Sequence, residues 1–111
     1  MLSGTQTNLI FHALADVTRR DIVTRVMTQS HNVSALAGAY DMSFAAVQKH
    51  VAILERAGLV RKQRRGREQI VRGNPTTVRR ARQLLDRLEA IWRRRIEHLD
   101  QWLSGPREGD A

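Results

Sequence analysis

The chain contains no cysteine. That single absence excludes disulfides, thiolate metal sites, iron–sulfur clusters and cysteine nucleophiles together. No apolar run approaches the roughly 18 to 20 residues of a membrane span, and no secretory signal opens the sequence. A cytoplasmic location with no membrane partner is therefore expected. Proline and glycine are scarce, at two and seven among 111 residues, while Ala, Leu, Arg, Gln and Glu dominate, so the fold should be mostly helical. Catalytic patterns are missing as well: there is no Ser/His/Asp set, no Gly-rich phosphate loop and no H-E-x-x-H. No enzyme activity and no cofactor are expected.

The four histidines do not assemble a metal site by spacing. His98 has Arg94, Arg95, Gln101 and Trp102 as helical neighbours, and His50 has Ala46, Val47, Ile53 and Leu54. His50 in that setting packs beside the core or hydrogen-bonds the backbone. His12 could meet Asp16, although the helix breaks there. The pairs Asp86/Glu89 and Glu97/Asp100 lack a nitrogen partner and read as acidic spots on an exposed helix. No resident metal is expected, with a transition-metal site built across a dimer as the remaining alternative.

What is present is enough for one small domain. Apolar residues make up 41%, which suits a folded chain. A monomer this short buries a modest share of its surface, so a core shared between two copies would help it. The net charge is +8 and nearly all the basic residues are arginine. Such an excess favours a polyanionic partner, because each neutralised phosphate releases counterions.

Residues 1–7 read as a polar tail, and residues 105–111 as a second one. Between them, residues 8–104 read as a sequence of helices with one hairpin. A first helix covers Asn8 to Ala15, and Thr18 is a reasonable cap for a second that carries Ile22, Val23, Val26 and Met27 on one stripe. A short third helix runs from Ser34 to Ala39. Ser43 caps a fourth from Phe44 to about Ala57, ended by Gly58, with Val47, Val51 and Leu54 facing inward. Two short helices joined by a tight turn make a helix-turn-helix unit. Leu59 to Arg72 then reads as a hairpin bent at Gly66, the wing. Asn74-Pro75 opens a last helix that continues to about Leu103.

The fourth helix and the hairpin carry the candidate chemistry. With Val47, Val51 and Leu54 inward, Ala45, Gln48, Lys49 and Ala52 share the opposite face. Small residues there permit close approach to a groove, Gln can pair with adenine N6 and N7, and Lys can reach guanine or a phosphate. An ordinary solvated face has the same pattern, but a capped turn before it and a basic hairpin after it favour DNA. From Arg61 to Arg72 there are six basic residues (Arg61, Lys62, Arg64, Arg65, Arg67 and Arg72) against one acid, Glu68. Arg64, Arg65 and Arg67 flank Gly66 and are poised for phosphate or the minor groove.

The last helix differs. Its arginines are interleaved with acids, as in Glu89 with Arg93, and read as a solvated face. Its apolar side runs through Val78, Ala81, Leu85, Leu88, Trp92, Ile96, Leu99 and Leu103, with Trp102 beside it. That is about four heptads, or roughly 40 Å, more apolar length than one small core can cover. An intermolecular core is the simplest destination.

Two stretches resemble a known family. Ala13-Leu14-Ala15-Asp16-Val17-Thr18-Arg19-Arg20-Asp21-Ile22-Val23 is similar to the opening signature of the ArsR/SmtB bacterial repressors. The run from Met42 through Gln48-Lys49-His50 to Ala57-Gly58-Leu59-Val60 is similar to their recognition helix, and Arg65-Gly66-Arg67-Glu68 to their wing tip. The likeness spans about residues 9 to 103. It implies a winged-helix homodimer joined through the first and last helices, with Leu9, Leu85, Leu88, Trp92, Ile96, Leu99, Trp102 and Leu103 at the interface. It implies promoter binding at an imperfect palindrome, repression, and residence at the bacterial nucleoid. Ser43, Ala45, Ala46, Gln48, Lys49 and His50 would lie on or beside the DNA-reading helix. The ending Ile91 to Leu103 resembles a subgroup with a long aromatic terminal helix and often no metal site.

The sequence departs from the family pattern at three points. Val17 stands where the family commonly has Pro, which would loosen the bend between the first two helices. Gln48 stands where Ser is common, which would alter the sequence read. The thiolate pair of the metal-sensing members is absent.

The expected protein is thus a mostly α winged helix-turn-helix with about five helices, a homodimer binding double-stranded operator DNA. The alternatives are a sequence-tolerant architectural DNA-binding protein, and an effector-gated metal- or ligand-sensing repressor of the same fold.

Overall fold

A computed structural model of the chain describes residues 2–104. Its elements are α1 (Gly4–Leu14), α2 (Val17–Thr28), β1 (His31–Asn32), α3 (Val33–Gly38), α4 (Phe44–Arg56), β2 (Val60–Arg65), β3 (Glu68–Gly73) and α5 (Pro75–Ser104). The chain divides after Ala81 into two compact units. The first holds α1 to α4, the sheet and the start of α5. The second, from Arg82, is the remainder of α5. The expected tail 105–111, with the stop at Gly105-Pro106, lies outside the described residues.

Each of α1 to α4 starts at a side chain that accepts from the first turn. Ser3 Oγ accepts from Gln6 N at 3.0 Å, Asp16 Oδ2 from Arg19 N at 2.9 Å, Asn32 Oδ1 from Ala35 N at 2.6 Å, and Ser43 Oγ from Ala46 N at 3.1 Å. Two expectations are corrected by these caps. Residues 1–7 are not a tail throughout, because Ser3 starts α1 at Gly4, and the Thr7 hydroxyl also donates to Ser3 O. Thr18 is not the cap of α2, because Asp16 takes that place and Val17 becomes the first helical residue. Proline suits that first position, since it needs no N–H there. Val17 fills it at 70% exposure, so the side chain packs little. The bend is held by other means, described below.

The end of α4 follows the expected glycine signal. Gly58 has φ +82°, and the Gly58 and Leu59 amides donate to Glu55 O at 2.9 Å and Leu54 O at 3.0 Å. This is the paired Schellman arrangement, which satisfies carbonyls that the helix end leaves open. Asn74 opens α5 differently from a simple cap. Its side-chain amide donates to Gly58 O at 3.0 Å, and its carbonyl accepts from Thr77 N. The start of α5 is thereby tied to the end of α4.

β2 and β3 pair antiparallel from Val60↔Gly73 to Arg65↔Glu68, with Gly66 at φ +64° in the two-residue turn. The expected hairpin is present, but it belongs to a three-stranded sheet in the order β1-β3-β2. β1 escapes sequence reading because two residues are too short to display alternation. The core of the first unit draws Ile10 and Ala13 from α1, Ile22 and Val26 from α2, Val33 and Leu36 from α3, and Val47, Val51 and Leu54 from α4. Ala57, Leu59, Val60, Val71 and Ala81 complete it. Of the expected stripe on α2, Val23 is half-buried, and Met27 stays partly exposed over Gly73, where a β-carbon would have no room. The result is a winged helix-turn-helix: α3, a turn, and α4, followed by the β2–β3 wing.

Candidate nucleic-acid interface

α4 buries Val47, Val51 and Leu54 and leaves Ala45, Gln48 and Lys49 exposed, as a 3.6-residue repeat requires. Ser43 is exposed but its hydroxyl is engaged in the cap, and Ala46 is half-buried. On the wing, Arg64, Arg65 and Arg67 are all exposed. Arg64 Nε donates to Gly66 O at 3.3 Å, folding that side chain back along the bend. Gln48 and Arg67 line one cleft of about 180 Å³, together with Phe44, Asn32 and Glu68. The exposed face of α4 and the wing tip are thus brought to one surface. In the same place Asn32 Nδ2 donates to Glu68 Oε1 at 3.3 Å. Asn32 therefore pairs in the sheet, caps α3 and holds the wing's acid at once.

His50 is placed apart from that face. It is half-buried, and its Nδ1 lies 3.3 Å from Arg19 Nη1 and 4.0 Å from Asp16 Oδ2. Arg19 is 9% exposed, unusual for a cation. Its Nε donates to Ala13 O at 2.7 Å and its Nη2 to His12 O at 3.1 Å, so one guanidinium satisfies carbonyls at the end of α1. The Asp16 carboxyl sits below its usual value, chiefly because it accepts from the Arg19 amide, with the Arg19 charge adding to this against its burial. These bonds hold the α1–α2 bend without a proline.

A second cluster also has no signature in the sequence. Tyr40, in the turn between α3 and α4, donates its hydroxyl to Asp21 Oδ2 on α2. Arg25 Nε donates to the same oxygen at 2.9 Å, and its guanidinium stands 5.3 Å from the centre of the Tyr40 ring. The Tyr40 bond, then the Arg25 bond, hold the Asp21 carboxyl below its usual value. Burial and then Asp21 push the Tyr40 phenol up to about 12. Nothing in the local pattern announces either cluster, because the partners lie on different elements.

The expected contact residues of the second unit form a continuous exposed apolar stripe. Leu85, Leu88, Trp92, Ile96, Leu99, Trp102 and Leu103 are all exposed, Trp102 at 73%, with Ile91 beside them. Ion pairs at i,i+4, Arg82–Asp86 and Arg93–Glu89, lie on its polar side. Leu9, expected with this group, packs in part against the core of the first unit. Among the described residues, no group of three or more His, Cys, Asp and Glu could hold a metal ion. No helix among them is long and apolar enough to cross a membrane.

The profile of bacterial regulatory proteins of the arsR family matches residues 16–62, from the cap of α2 into β2. Among curated proteins no sequence match was found. An ArsR-like transcriptional regulator from Rhodococcus sp. RHA1 superposes with a TM-score of 0.79 at 29% identity, covering 90% of this chain and 93% of that one. A crystal structure of an ArsR family transcriptional regulator gives 0.78 at 30% identity, over 83% of this chain and 95% of that one. The homodimeric winged helix-turn-helix DNA-binding domain of a possible ArsR-family regulator from Mycobacterium bovis shares the fold at 0.64 and 23% identity, over 77% and 80%. With α3, α4 and the wing in the family's order, and near-complete coverage of a 30% identical relative, the chain belongs to the ArsR family of bacterial transcriptional regulators.

Proposed function

We propose that the chain is a sequence-specific repressor that binds an imperfect palindrome in promoter DNA as a homodimer. The observation that carries this reading is the cleft between α4 and the wing, lined by Gln48 and Arg67, with Lys49, Arg64 and Arg65 exposed on the same two elements. α4 enters the major groove, where Gln48 and Lys49 meet base edges, and the wing arginines hold phosphate or the minor groove. Ser43, Ala45 and Ala46 line the approach. The exposed stripe on the second unit supports a dimer through α5, and the M. bovis domain of this fold is described as homodimeric. Two copies then present their α4 helices to successive major grooves, about 34 Å apart. Occupying a promoter in this way excludes polymerase.

The test is equilibrium binding to the duplex upstream of the chain's own gene against random duplex, titrated over several salt concentrations. A palindromic footprint and a preference of about 10³ or more support the reading. Near-equal affinities that fall together with salt would replace it with sequence-tolerant architectural binding.

A further inference from the structure

We infer that His50 is a positioning residue of the DNA-reading helix, held by Arg19, and that it reads no base. The inference rests on the proposed function and refines which α4 residues carry it. His50 lies one and two positions from Lys49 and Gln48, yet its ring turns back to the α1–α2 junction, with Nδ1 3.3 Å from Arg19 Nη1. A guanidinium has donors and no acceptor. The Arg19 N–H therefore donates, Nδ1 must carry a lone pair, and the ring proton sits on Nε2. Arg19 is itself fixed, because it is nine-tenths buried and donates to the carbonyls of Ala13 and His12. It is thus a rigid post planted in the end of α1, and His50 is where α4 is fastened to it.

The fastening sets the rotation of α4 about its own axis. Gln48 and Lys49 occupy positions about 100° apart on that axis, so a small roll of the helix moves both away from the base edges they address. Bidentate pairing tolerates little misalignment. Phosphate contacts from the wing arginines do not depend on that roll. Loss of the Arg19–His50 bond is therefore read out as lost discrimination at preserved non-specific affinity.

Two variants separate this from a packing role. His50→Leu keeps an apolar body of similar size and removes the acceptor. In His50→Asn the amide oxygen falls close to the position of Nδ1 and can accept the same bond. The probes are the duplex recovered by the wild-type chain from a randomised pool and a random duplex of equal length. His50→Leu is expected to lower the ratio of selected to random affinity about tenfold, the weight of one charge-assisted hydrogen bond. His50→Asn is expected to restore it to within about threefold. Random-duplex affinity should hold in both. An unchanged ratio in His50→Leu would overturn the inference, as would a re-selected sequence altered at a single base pair, which marks a base reader. Imidazole nitrogen shifts measured without DNA probe the contact independently, and a proton on Nδ1 would overturn it. If the wild-type chain recovers no sequence from the pool, the proposed function fails instead, and the nitrogen shifts still decide whether Arg19 fastens His50.

Discussion

Tyr40 is the only tyrosine of the chain, so its phenol can be titrated without assignment. The ultraviolet band of the phenolate should appear with a midpoint near 12 rather than 10. A midpoint at 10 would mean that the phenol is neither buried nor bonded to Asp21 in solution. The direction also fixes a stability window. A phenol whose value is raised on folding contributes below its unfolded value and loses that contribution as pH climbs from about 10 to about 12. Asp21 works at the other end. Its lowered value means its contribution is present above about 4 and is lost as acid protonates it. Tyr40→Phe should flatten the alkaline loss and also weaken the acid-side loss, because the Tyr40 bond is the main cause of the lowered Asp21 value. At the same scale, Gln48→Ala and Arg65→Ala should differ in kind. The first should relax discrimination at one position by about 1–3 kcal/mol, and the second should weaken all duplexes and reduce the salt slope by about 1. Equal losses on selected and random DNA for both variants would refute this division.

Among the elements, α4 and the wing are the most legible in the sequence. Ser43 and Gly58 bracket the helix by chemistry that acts within a few residues, and Gly66 bends the hairpin for the same reason. Pro75 marks the start of α5 by its missing N–H. What escapes are features whose partners are distant in sequence: Arg19 meets His50 across 31 positions, and Tyr40 meets Asp21 across 19. His50 illustrates the limit well, since helical spacing sets it beside the core while nothing nearby in the chain names Arg19 as its partner. Thr18 and Asp16 are both acceptable caps by type, and only the backbone path chooses between them. Glycine's two uses yield a prediction at this scale. At Gly58 a β-carbon would combine a left-handed backbone with Thr77 Oγ1 at 3.2 Å, whereas at Gly66 it would meet open space. Both Ala variants should lose about 1–2 kcal/mol to backbone strain, and Gly58→Ala should lose more. Thermal unfolding can tell them apart, at about 4–8 °C per kcal/mol for a domain of this size. Equal melting temperatures would mean that Thr77 simply moves aside.

For the molecule as a whole, the second unit sets the terms. Its exposed leucines, isoleucines and tryptophans follow the 3–4 repeat of the sequence, but repeat spacing cannot say what covers them. Ile96→Glu places a charge in the middle of that stripe. Sedimentation of the wild-type chain should show mass rising with concentration to twice the monomer. The variant should stay at one copy, with duplex affinity falling by about tenfold or more as one of two half-site contacts is lost. A monomeric wild-type chain would refute dimerisation through α5. The stripe also bears on regulation through gene dosage. When the reading species is assembled from two chains, its abundance at low expression varies as the square of chain number. Halving synthesis then cuts promoter occupancy about fourfold rather than twofold in that regime. A greasy helix face would thereby give the promoter a threshold that no base contact could supply.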